Sequence, residues 1–175
     1  MCNNNIAFMN PVLLYIKLEP FVAQWFVHEM GGEPVKLPKR SAESDIIEYF
    51  LAPTPNNALA NLKEDGCISI CIPSFKHKDP TYFNYLAPKA MAALARCITV
   101  RFRMQLWQDL HKLHSLECCC LTDLIYAWME KHGIECSEQN WEAIRQFYFR
   151  KRKIYVKQSK INSEITDKKT QKDIK

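Results

Sequence analysis

The chain has 175 residues, 47% of them apolar, and a net charge of +5. That composition supports a buried core, but no apolar run approaches the roughly 20 residues that cross a bilayer. Only four glycines occur, none in a phosphate-cradling pattern, so a P-loop and a dinucleotide fingerprint are excluded.

The elements follow from periodicity and end signals. Residues 1–9 are expected to be a disordered extension, with Met9 able to serve as the start. No cationic region precedes the first apolar stretch, so the N-terminus does not read as a signal peptide and the expected compartment is the cytoplasm. PVLLYIKL (11–18) predicts a strand. Pro20 at a first helical position opens a helix with Phe21, Val22, Trp25 and Phe26 on its apolar face, stopped by Gly31 and Gly32. Val35 to Leu37 is a second strand candidate. Ser41 caps a helix carrying Ile46, Ile47, Phe50 and Leu51, which the segment with Pro53 and Pro55 closes. Residues 53–66 read as loop.

CISICIP (67–73) alternates cleanly, with Ile68, Ile70 and Ile72 on one face and Cys67, Ser69 and Cys71 on the other. The following SFKHKDPTYFNYL (74–86) interleaves Lys76, His77 and Lys78 with Tyr82, Phe83 and Tyr85. Such a mixture can stack single-stranded nucleic acid. The favoured reading is a solvated loop feeding a short helix whose aromatics are core. From Lys89 to about His114 a helical pattern runs through Met91, Leu94, Ile98, Leu106, Trp107, Leu110 and Leu113. Its β-branched middle, CITVRFRM, is read as helix because the periodicity on both sides is helical.

The stretch 121–157 predicts two helices joined by a short turn, the outline of a helix-turn-helix unit. Thr122 is the expected cap of the first, Gly133 its left-handed stop, and Ile134 the residue that packs back on Met129. Ser137 caps the second helix. Trp141, Ile144, Phe147, Tyr148, Ile154 and Tyr155 cluster on one side of it. Along the other, Gln139, Glu142 and Gln146 are followed by Arg150, Lys153 and Lys157. With Lys151 and Arg152, these are the candidate nucleic-acid-binding residues: polar groups for base edges first, cations for phosphates later. Any surface helix also carries a polar stripe, and cations complement a helix C-terminus without a ligand. The distance from Ala127 to Gly133 exceeds the alanine-to-glycine spacing of common repressor-type motifs.

Charge follows the same division. Residues 145–175 hold 11 Lys or Arg and 3 Asp or Glu, a balance of +8; the remainder holds 13 cations and 16 anions, a balance of −3. The asymmetry points to an anionic partner, nucleic acid before membrane, because no basic segment carries a long lipid-facing apolar stripe. Residues 158–175 are polar and predict a disordered basic tail.

Eight cysteines in a chain of this compartment are expected to be reduced thiols. His111, His114 and Cys118 share a helical face, with Cys119, Cys120, His132 and Cys136 nearby. However, no Cys-x-x-Cys pair occurs, and adjacent cysteines do not easily ligate one ion, so no metal is expected. No thiol is marked as activated and no strand-to-helix glycine turn offers an oxyanion site. The expectation is a non-enzymatic protein with no cofactor and no small-molecule substrate.

The fold class expected is α+β: a small antiparallel sheet with helices over 10–86, then a helical part over 87–157 ending in the paired helices. With SDIIEYFL (44–51), KDPTYFNYL (78–86) and LIYAWMEKHGI followed by a Trp-containing helix ending RKRKIY (124–155), the chain resembles small proteins carried by prophages and conjugative or transposable elements of Bacteroidales bacteria. The resemblance implies a mobile-element setting and assigns no residue a role. The function expected is DNA binding in an accessory or regulatory capacity. The alternative is a protein-interaction module in which Trp141, Tyr148 and Tyr155 meet a partner or a second copy.

Overall fold

A computed structural model describes residues 11–56, 63–115 and 120–172, with side chains described to Ile161. The fold is α+β. In chain order the elements are β1 (Leu13–Lys17), α1 (Pro20–Glu29), β2 (Val35–Lys36), α2 (Ala42–Phe50), β3 (Ala52–Pro53), β4 (Cys67–Cys71), β5 (Phe83–Tyr85), α3 (Pro88–His114), α4 (Leu121–Lys131) and α5 (Glu138–Lys172). The chain divides into two compact units, 1–102 and 103–175, and α3 contributes to both.

The first unit is built on a three-stranded sheet ordered β1-β4-β2. β1 and β4 pair antiparallel with Leu14 opposite Ile70 and Ile16 opposite Ile68, and β2 joins β4 in parallel. The alternation of β4 holds for the isoleucines, which are buried. Ser69, on the opposite face of this central strand, is also buried and is hydrogen-bonded by a carboxylate. Glu33 Oε1 accepts from the Ser69 N–H at 2.9 Å, from its hydroxyl at 2.7 Å and from Lys63 Nζ at 3.2 Å. Trp25 and Phe26 of α1, Ile47 of α2 and Leu94, Ile98 and Phe102 of α3 complete the core, each at most 2% exposed. Burial of each such side chain stabilises by about 1.5–3 kcal/mol.

The Ser69 hydrogen bonds, ahead of the charge of Lys63, hold the Glu33 carboxyl below the usual glutamate range. A carboxyl depressed on folding contributes stability above its unfolded pKa and loses it as pH falls through its folded pKa. The Glu33→Gln variant should therefore melt lower than the parent at neutral pH and show a shallower loss of stability on acidification. Thermal melts from about pH 7 downward check this. Equal acid slopes in parent and variant would remove Glu33 from the account.

Two local end signals of the first unit act as the sequence indicates. Pro20 opens α1, and the Ser41 hydroxyl accepts from the Ser44 N–H at 3.1 Å at the start of α2. The β-branched middle of α3 is continuous helix.

Four expectations are corrected. The three-stranded sheet is mixed rather than antiparallel, because β2 runs parallel to β4. Residues 79–82 form turns, not a helix: Asp79 Oδ1 accepts from the Thr81 N–H and hydroxyl, and that local bond competes with helical pairing. β5 follows and pairs antiparallel with β3, in the stretch around Pro53 that reads as loop. Finally, the tail is not disordered through 158–172, because α5 runs to Lys172. That stretch has no Pro or Gly, and propagation from an established helix adds a hydrogen bond per residue without a new nucleus. The expected extension over 1–9 lies outside the described residues.

Candidate nucleic-acid interface

The site is set by how α4 and the last turns of α3 hold α5. α4 begins at Leu121 with Cys120 as its N-cap, so Thr122 lies inside the helix and does not cap it. The Cys120 thiol instead donates to Asp123 Oδ2 at 3.2 Å. At its end Gly133 takes φ +65°, and Ile134 N–H donates to Met129 C=O at 2.9 Å and Gly133 N–H to Glu130 C=O at 3.2 Å. This is the Schellman ending that Gly133 and Ile134 predict. Residues 132–137 form the connection. The Ser137 hydroxyl accepts from the Asn140 N–H at 3.3 Å, and buried Asn140 donates from Nδ2 to the Glu135 carbonyl at 3.0 Å. Turn and cap together fix where α5 starts.

Trp128 ties α4 to α3. Its ring is 3% exposed and its Nε1–H donates to Asp109 Oδ2 at 3.0 Å. His132 places Nε2 3.7 Å from the same oxygen, with its ring centroid 4.4 Å from Trp128. On α5, Ile144 and Tyr148 are fully buried. Trp107 lies against Tyr148 at 5.6 Å and Tyr155 at 5.7 Å, and stacks on His111 at 4.5 Å. His114 meets Tyr148 edge-on at 6.0 Å. His111 and His114 are thus packed among rings. Cys118 and Cys119 lie outside the described residues, and among the described residues no three metal-ligating side chains converge. Burial pushes the Tyr148 hydroxyl above the usual tyrosine range, and the nearby Arg152 charge partly offsets it.

The opposite side of α5 is open. Gln139, Gln146, Arg150, Lys151, Lys153 and Lys157 are exposed, while Glu142 and Arg152 are half-buried. Arg150, Lys153 and Lys157 recur at steps of three and four, so they form one row. Lys160 extends it by another step and is also exposed. From Arg150 to Lys160 the row is about 15 Å long at 1.5 Å per residue. The polar composition after Lys157 hides this extension in the sequence, where the i+3 spacing of Lys160 is the signal for it. Arg152 falls away from the row, beside Tyr148, and Lys151 is one residue out of register with it.

Upstream of the cations the polar residues bond among themselves. Glu142 accepts from Arg145 Nη1 at 3.0 Å and from Gln146 Nε2 at 3.1 Å, and these bonds, that of Gln146 first, hold its carboxyl below the usual range. Arg150 Nε donates to the Gln146 carbonyl at 3.2 Å. The Arg145 guanidinium lies over Trp141 at 5.4 Å and Phe149 at 5.3 Å, and Trp141 stacks on Tyr126 at 5.9 Å. The face is thus an ordered amide–carboxylate pair followed by a cationic row.

Among the described residues no helix is long and apolar enough to cross a membrane. In comparisons with known proteins the chain matches no family model, no curated protein and no solved structure.

Proposed function

We propose that this is a non-enzymatic DNA-binding protein, an accessory or regulatory component of a mobile element working in the cytoplasm, which holds duplex DNA on the open face of α5. The observation that carries the reading is the solvent-exposed row Arg150, Lys153, Lys157 and Lys160 on α5, which continues the helix beyond the turns that Ile144 and Tyr148 bury. A cationic row at helical spacing offers phosphates several charges on one side of the helix. Glu142 and Gln146 precede it on the same face. An amide can read adenine, and a carboxylate can accept from the cytosine amino group. No metal, cofactor or small-molecule substrate enters this reading.

Titration of duplex DNA against salt tests it. The logarithm of affinity should fall linearly with the logarithm of salt, by about 0.9 per phosphate neutralised. Absence of binding at low salt would overturn the reading. The Gln146→Ala variant should relax sequence preference by about 1–3 kcal/mol at one base pair, with little change in salt slope. Selection from a randomised duplex pool measures this, and an unchanged preference would leave α5 as a phosphate contact alone.

One observation favours a second reading, contact with a protein partner or a second copy. Every described residue from Lys153 to Ile161 is exposed, including Ile154 at 52% and Ile161 at 46%. Tyr148 is buried in its own unit, Trp141 stacks on Tyr126 and the half-exposed Tyr155 lies against Trp107, so the contact surface would centre on Ile154 and Ile161. Light scattering over a range of protein concentrations separates a self-associating chain from a monomer.

A further inference from the structure

The loop 74–83 in the first unit is built unlike a passive connection. Lys78 N–H donates to the Phe75 carbonyl at 3.4 Å and closes a tight turn that puts Lys76 and His77 at its corner, both exposed. Lys78 itself is spent on structure. Its Nζ donates to the carbonyls of Glu48, Tyr49 and Leu51, the last acceptors of α2, and so anchors the turn to a helix end. On the other side Tyr82 and Phe83 donate their N–H groups to the Asp79 carbonyl at 3.1 and 2.7 Å, and Phe83 enters β5.

Between these anchors lies an open groove of about 910 Å³, lined by Phe75, Lys76, His77, Tyr82 and Phe83 among others. Tyr82 is 65% exposed and meets Phe83 edge-on at 5.2 Å, so its ring is braced yet largely free. The carboxylate in the lining, Asp79, is turned onto Thr81, whose N–H and hydroxyl it accepts at 2.9 and 2.7 Å.

We propose that this groove binds single-stranded nucleic acid, with a base stacked on Tyr82 and the adjoining phosphate held by Lys76 and His77. The chemistry is a flat, π-faced group carrying a nearby anion. An exposed aromatic beside two N–H donors on a pre-shaped turn fits that group, and stacking tolerates any base. The volume of the groove lies within the range of small-ligand sites. The proposal concerns the first unit and does not rest on α5.

Stacking and charge separate when a labelled oligothymidylate is compared with an abasic oligomer of equal length and charge. The full chain should bind the oligothymidylate about tenfold more tightly. Tyr82→Ala should abolish that ratio while leaving affinity for duplex DNA unchanged. Its exposed ring makes the substitution tolerable, which an unchanged melting temperature confirms. Lys76→Gln with His77→Gln should weaken both oligomers, keep the ratio and flatten the salt slope by about 0.7 for the lysine. The Arg150→Ala, Lys153→Ala, Lys157→Ala protein should keep the ratio whether or not it loses the duplex, so the two readings fail separately. Equal affinity for both oligomers in the parent, or a ratio that survives Tyr82→Ala, overturns the proposal. So does displacement of the oligothymidylate by an acidic phosphopeptide at lower concentration than by unlabelled oligothymidylate, which would reassign the groove to a protein ligand.

Discussion

Replacement of Trp128 by alanine should destabilise the second unit by about 3–5 kcal/mol, the usual cost of deleting a buried tryptophan. The side chain is 3% exposed, and its loss also strips Asp109 of the donor 3.0 Å away. Trp128→Phe keeps much of the volume and gives up the bond, so it should cost about 1.5–3 kcal/mol, the range for hydrogen bonds to charged groups. Because Trp128 links α4 to α3 and the α4 ending sets the start of α5, affinity for duplex DNA should fall with stability. Hydrogen exchange locates the effect. Amides of α4 and of the first turns of α5 should lose protection, and those paired between β1 and β4 should keep it. An unchanged melting temperature in Trp128→Ala would show that this contact does not hold the unit together.

The second large effect is on binding. Substituting Arg150, Lys153 and Lys157 together by alanine should lower duplex affinity on the order of a hundredfold at about 0.15 M salt, because three phosphate contacts account for about 2.7 of the salt slope. Stability should change little, since all three side chains are exposed. Arg150 gives up one bond to the Gln146 carbonyl, a local loss at the helix surface. Truncation after Lys157 distinguishes the row from bulk charge: it removes Lys160 and the rest of α5, and should cost affinity while sequence preference remains. If the triple variant binds as the parent does and the truncated chain does not, the segment beyond Lys157 is the binding element and the helix-turn-helix reading is wrong.

Much of this architecture was legible because it depends on neighbours in sequence. Pro20, Ser41, Ser137 and the Gly133–Ile134 pair are local signals, and each sits where its chemistry requires. The isoleucine alternation of β4 and the helical phase of α3 are periodic and survive without knowledge of partners. What escaped depends on distant residues. β3 and β5 are two and three residues long and exist only by pairing with each other across some thirty positions, while Pro53 locally argues for loop. Ser69 reads as solvent-facing, yet is buried in the central strand, where Glu33 reaches it from a loop. The amine of Lys78 belongs to α2, a partnership that no local pattern encodes.

The candidate interface divides in the same way. Its row was visible as a spacing, so Arg150, Lys153 and Lys157 emerge on one exposed face. Lys151 and Arg152 entered with the basic run as composition, and helical phase removes them from the row. The length of α5 is not legible in the sequence because low apolar content reads as disorder, whereas continuation of an existing helix needs only residues that do not break it.

Lysine footprinting on the full chain, with and without duplex DNA, tests the central claim most directly. Each lysine is acylated briefly and its modification read by mass spectrometry. The account predicts that Lys153, Lys157 and Lys160 lose reactivity when DNA is bound, while exposed Lys17, Lys36, Lys39 and Lys89 of the first unit keep theirs. Protection centred on those first-unit lysines, or spread evenly over all of them, would contradict the assignment of α5 as the DNA-binding element.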